Sequence, residues 1–124
     1  MDHRTTARLI AAGRTLFGLL CLLRPRVLTG FDRSEPSAAA LGWIRLFGVR
    51  DVVLGAGTLA SLNGDDGDTR WVKMSAAADT ADAVTVVTVR DEVGVSFMAA
   101  SLALAVPAAA LGWRAAFGLG RSRG

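Results

Sequence analysis

The chain has 124 residues, 52% of them hydrophobic and 20% charged, with a net charge of +3. That is one domain's length. So apolar a composition excludes a disordered chain, and a single Cys21 with a single His3 excludes both a disulfide scaffold and a Cys/His zinc site. All but one of the 14 bases are Arg, and they stand scattered rather than in a stripe, which argues against a nucleic-acid surface. A mean hydropathy of +0.40 leaves a soluble helical bundle and a membrane protein both open.

In chain order, four apolar segments emerge, at about 9–23, 38–62, 71–89 and 93–113. The first ends at Arg24-Pro25-Arg26, where Pro25 stops a helix and two Arg suit a headgroup layer. Arg14 interrupts its apolar stretch, and no small-residue cleavage site follows, so it reads as a retained helix rather than a signal peptide. Pro36 and Ser37 introduce the second segment, and Asn63-Gly64-Asp65-Asp66-Gly67-Asp68 closes it with turn signals. Arg90-Asp91-Glu92 is a charged hinge between the third and fourth.

The fourth segment decides the class. VGVSFMAASLALAVPAAALGW carries no charge. At about 1.5 Å per residue it reaches roughly 30 Å, the thickness of the hydrocarbon layer. Pro107 inside it is tolerated in lipid and costly in a soluble helix. Trp43, Trp71 and Trp113 stand at or near segment ends, as interfacial Trp does. The expected fold is therefore all-α, a single four-span transmembrane four-helix bundle over residues 1–124. With four spans, Arg4, Arg8, Arg70, Lys73, Arg114, Arg121 and Arg123 share one side, against Arg24, Arg26, Arg33 and Arg90 on the other. The excess places both termini in the cytoplasm, with the chain a multi-pass protein of the inner (plasma) membrane.

Besides Lys73 at the start of the third, six charges fall inside these spans: Arg14, Arg45, Arg50, Asp51, Asp79 and Asp82. A charge at mid-bilayer costs at least about 2.5–3.5 kcal/mol unless paired or wet, so these side chains should face inward and meet. Gly48 and Gly55 share a helix face that would let another helix approach closely. Arg45 and Asp51 flank that face, each about 60° from Gly48 at roughly 100° per residue, while Arg50 points nearly opposite. Asp79 and Asp82 share a face of the third segment. Arg45 or Arg50 is their expected partner through bidentate guanidinium–carboxylate contact, with Arg14 as a second candidate.

Two uses of this network compete. It either locks helix register or lines a polar pocket that binds a lipophilic molecule or moves a proton. The leading expectation is an accessory or lipophilic-ligand-binding membrane protein, with a second copy or a membrane complex as partner. One alternative is a membrane-embedded isomerase- or cyclase-like enzyme. There Asp51, Asp79 or Asp82 would be the catalytic acid or base, with Arg45 or Arg50 beside it. Another alternative is a small proton-coupled transporter subunit. No cofactor is expected, and no metal, since Asp79 and Asp82 alone are too few carboxylates to hold Mg²⁺ against a diphosphate. His3 reads as a solvated tail residue, and Cys21 as a small buried hydrophobe.

The stretch Arg45-Leu46-Phe47-Gly48-Val49-Arg50-Asp51-Val52-Val53-Leu54-Gly55, followed by Ala78-Asp79-Thr80-Ala81-Asp82-Ala83, resembles small four-helix bacterial membrane proteins filed as domains of unknown function, near the DoxX-like group. The resemblance covers most of the chain and implies a four-span bundle without an assigned chemistry. By size and span count the chain is also similar to small multidrug transporters. Their membrane-embedded Glu in the first helix has no counterpart here, because this first helix carries the non-titrating Arg14 and no carboxylate.

Overall fold

Asp2 sets the first helix. Its carboxylate accepts a hydrogen bond from the Thr5 amide at 2.7 Å, so the chain turns helical at His3 and α1 runs His3–Leu23. This start lies six residues before the expected one, because the first turn (His3, Arg4, Thr5, Thr6) is polar and carries no apolar signal. The computed structural model describes residues 2–29, 35–64, 69–93 and 95–121. The acidic stretch Asp65, Asp66 and Asp68, with Gly30, Arg33, Gly67 and Arg123, lies outside the described residues.

After a 3-10 turn over Pro25–Thr29, Ser37 caps α2, Ala38–Asn63, through the Ala40 amide at 3.0 Å. Next come α3, Arg70–Thr88, a single turn α4, Arg90–Val93, and α5, Val95–Arg121. The described residues thus form four long helices with the short turn between the last two. The sequence reading ended the fourth helix at Trp113. It continues to Arg121, and Gly118 lies inside it because the His3 ring packs against its bare α-carbon. His3 is therefore half-buried in α1 and not a solvated tail residue. Trp113 is likewise within α5, stacked on Phe117 at 5.7 Å and donating Nε1–H to Thr80 Oγ1 at 3.0 Å.

The helices pack in a ring: α1 against α2 and α5, α3 against α5 and α2. The α1–α2 seam is the tightest. A β-carbon on Gly18 would stand 2.7 Å from the Gly48 carbonyl oxygen, and one on Gly48 would stand 2.7 Å from the Gly18 oxygen. The two backbones touch because neither position has a side chain. Gly55 repeats the contact one step along, against Thr15 and the Ala11 carbonyl.

The interior is built of small and polar residues. Ala7, Ala11, Ala76, Ala115 and Ala116 are buried, and Leu62 and Cys21 are the largest side chains fully so. Buried beside them are Arg14, Asp51, Thr58, Ser75 and Asp79. The large apolar side chains point outward: Leu16, Leu23, Leu46, Val53, Val84, Leu104 and Phe117 are all more than half exposed. Two helices, α1 and the Met98–Arg121 part of α5, are long and apolar enough to cross a membrane. The other two fall short by composition, since α2 carries Arg45, Arg50 and Asp51, and α3 carries Lys73, Asp79 and Asp82.

Candidate functional site

Three helices converge on one ionic chain. Arg14, midway along α1, reaches across the bundle. Its Nη1 donates to Asp51 Oδ1 on α2 at 3.0 Å, and its Nη2 donates to Asp79 Oδ2 on α3. All three side chains are at least nine-tenths buried. From the rim of α2, Arg50 grips Asp82 with both amino groups, Nη1 to Oδ1 at 2.8 Å and Nη2 to Oδ2 at 2.6 Å. Its Nη2 also lies 3.3 Å from Asp51 Oδ1. The order is thus Asp79–Arg14–Asp51–Arg50–Asp82, alternating in sign, with a carboxylate at each end. The Arg50 head also lies over the Phe47 ring, 5.2 Å from its centre.

This arrangement corrects one expectation. Arg45 is exposed on α2 and takes part in no ion pair among the described residues. Arg14, the second candidate in the sequence, is the buried partner instead. Arg45 and Asp51 lie symmetrically about Gly48, and α3 packs on the Asp51 side, which leaves Arg45 turned away. Gly48 and Gly55 face α1 and hold it close enough for Arg14 to enter the centre. Asp79 and Asp82 do share a side of α3, but each takes a different arginine.

Sequence reasoning missed a hydroxyl pair. Thr58 Oγ1 donates to the Leu54 carbonyl at 2.7 Å and lies 3.3 Å from Ser75 Oγ. The signal was present in the spacing, since Thr58 is seven residues after Asp51 and Ser75 four before Asp79. Beside them is a cavity of ≈ 10 Å³, room for about one water, lined by Arg14, Thr58, Ser75 and Asp79 with Ala7 and Gly112. Two guanidinium nitrogens, Arg14 Nε and Arg50 Nε, are buried without a hydrogen-bond partner.

No family model, curated protein or solved structure matches the chain. The chemistry of the cluster must therefore be judged from its own geometry. Each carboxylate is already engaged by an arginine, and the two arginines are shared among the three. These ion pairs link α1, α2 and α3 to one another. Cys21 is buried at the α1–α2 seam, where its β-carbon lies against Gly48.

Proposed function

We propose that the chain is a small integral membrane protein, a four-helix bundle of the inner membrane that acts as an accessory subunit, with the Arg/Asp chain as its internal clamp. The observation that carries this reading is the inverted distribution of side chains. Arg14, Asp51, Thr58, Ser75 and Asp79 are buried, while most of the leucines, valines and phenylalanines are exposed and only Leu54, Leu62, Val72 and Val86 among those described lie fully inside. In water this arrangement would leave an apolar surface far larger than a monomer tolerates. In lipid it is the expected one, because helix association there depends on close packing and internal polar contacts. The two most apolar helices fit the same reading: only 22% of the window in α1 and 28% of that in α5 is buried, whereas the core helix of a soluble protein is mostly covered. In α2 and α3, each interior carboxylate is paired with an arginine, so these helices can share the bilayer with the other two.

The termini are proposed to be cytoplasmic. Arg4, Arg8, Arg70, Lys73, Arg114 and Arg121 lie at that end of the bundle, against Arg24, Arg26 and Arg90 at the other. A bundle of the type that the Arg45–Gly55 stretch resembles would be built in this way. The partner is proposed to be another membrane protein or a second copy. The cavity beside Asp79 has room for a water and not for a lipophilic ligand, and Asp51, Asp79 and Asp82 are each already held by an arginine. Both features weigh against the ligand-binding and enzyme alternatives.

Alkaline carbonate extraction tests the core of the proposal. The protein should stay in the membrane pellet and come into solution only with detergent. Release by carbonate would sink it. Orientation is read separately: an Arg121→Cys variant should react with a membrane-impermeant thiol reagent only after the cytoplasmic face is opened.

A further inference from the structure

The two flanks of the α1–α2 seam are unlike. Gly48 faces α1, with Asp51 about 60° to one side of it and Arg45 about 60° to the other, at roughly 100° per residue. Val52 and Val49 share the Arg45 side, about 40° and 100° from Gly48. On α1, measured from Gly18, Leu22 and Leu19 fall at the same two angles, and Arg14 falls on the opposite side. One flank thus contains the Arg14–Asp51 pair. The other is an apolar strip of Leu19, Leu22, Val49 and Val52 that ends at Arg45. Leu19 is 39% and Val49 48% exposed, so the strip is open. Arg45 is exposed as well, and it takes part in no hydrogen bond or ion pair among the described residues.

The seam contacts fix the level of Arg45. Leu22 Cγ would lie 3.0 Å from a β-carbon on Gly48, and Arg45 is three residues nearer the start of α2. α1 ends at Leu23, one residue past Leu22, and the chain turns away through Arg24, Pro25 and Arg26. Arg45 is therefore level with the end of α1, and the exposed Trp43 stands two residues from it along α2. In a bilayer this is the boundary between hydrocarbon and headgroups, where a long arginine side chain lays its stem on apolar surface and carries its charge outward.

The anion that meets Arg45 comes from outside the chain. At this end, Glu35 is held by Arg26 at 3.1 Å and Asp91 lies 4.0 Å from Arg90, while Arg14 and Arg50 take the three interior carboxylates. Among the described side chains a second copy has no carboxylate to spare at this level. Phosphate is the anion that the headgroup layer itself supplies, and a guanidinium fork matches it. We propose that Arg45 is the phosphate anchor of a phospholipid site, with one acyl chain lying on the strip of Leu19, Leu22, Val49 and Val52. The lipid belongs to the leaflet at the end of the bundle opposite the termini. This site rests on the membrane-embedded bundle proposed above and adds the lipid that one face of it selects.

Native mass spectrometry of the protein released from detergent micelles tests it. With dioleoylphosphatidylglycerol added, the chain should retain a single lipid, and Arg45→Gln should weaken that binding about tenfold, as the loss of one charge-assisted hydrogen bond does. Arg114→Gln removes the same charge from an exposed site near the other end of the bundle and should leave binding unchanged. Dioleoylglycerol, with the same chains and no phosphate, should bind the native chain and Arg45→Gln equally and weakly. Inorganic phosphate should not displace the lipid. Equal lipid retention by the native chain and Arg45→Gln, an equal loss in Arg114→Gln, displacement by inorganic phosphate, or a dimer in place of the lipid complex that Arg45→Gln dissolves would each overturn the proposal. A protein that resists carbonate extraction yet retains no lipid refutes the lipid site alone.

Discussion

Helix α2 meets its two neighbours in opposite ways. Toward α1 it offers Gly48 and Gly55, and the helices close until backbone touches backbone. Toward α3 it offers Arg50, Asp51 and Thr58, and the space is bridged by long or polar side chains. Close contact is made where side chains are absent, and ionic contact where the backbones stand apart. Arg14 belongs to both arrangements. The glycine seam admits α1, and α1 then delivers a guanidinium to Asp51 and Asp79.

If that division is right, Arg14→Ala should be the most damaging single change. It leaves two nine-tenths-buried carboxylates without their shared cation, and breaking a buried pair costs about 3–5 kcal/mol. Denaturant titration of the protein in detergent would measure it. Gly48→Val comes next. The new side chain meets the Gly18 oxygen and the Cys21 and Leu22 side chains, so α1 must move away, at about 3 kcal/mol. Gly13→Ala, on the exposed side of α1 where nothing lies within 4 Å, should instead stabilise by about 0.4–1 kcal/mol. Equal losses at Gly48 and Gly13 would show that the seam does not depend on close approach.

Arg50→Ala should cost less than Arg14→Ala, about 1 kcal/mol, because both it and Asp82 are one-third exposed and water takes over part of the lost contact. Arg45→Ala should be close to neutral. A cost at Arg50 matching that at Arg14 would erase the distinction between rim and centre.

A local effect belongs to Asp2, outside both interfaces. The Thr5 amide and hydroxyl hold its carboxyl below the ordinary value of 3.8. A lowered value means the cap stabilises the folded form above the ordinary value and is lost as pH falls below it. Measured against the intrinsic rate at each pH, hydrogen exchange in the first turn of α1 should therefore be faster at acid pH in the native chain. Asp2→Ala should show the faster exchange at neutral pH as well.

Much of the architecture was legible in one dimension. Pro25, Ser37 and the Asn63–Asp68 turn residues marked the breaks, and the apolar lengths marked the helices. The inward charges followed from the cost of leaving them in lipid. What was not legible was helix rotation. Arg45 and Asp51 stand at equal angles on either side of Gly48, so nothing local distinguishes them. Only the position of α3 turns one inward and the other out. The same limit hid Arg14, whose partners lie 37 and 65 residues away. The ends of α1 and α5 were misjudged for a related reason. A polar first turn and a glycine-containing last turn look like fraying until His3 and Gly118 are seen to pack together.

The contact between Arg4, Arg8 and the end of α2 bears on how the chain is made. Arg4 donates to the Leu62 carbonyl at 2.6 Å and to the Gly64 carbonyl at 3.3 Å, while Arg8 reaches the Asn63 side chain at 3.3 Å. These bonds, the glycine seam and the Arg14–Asp51 pair all lie within the first 64 residues. During synthesis this hairpin is therefore complete in its own contacts before α3 leaves the ribosome. If the bundle is inserted into a bilayer as proposed, Arg14 and Asp51 enter it already paired with each other, and α3 arrives at a partner whose shape and charge are set.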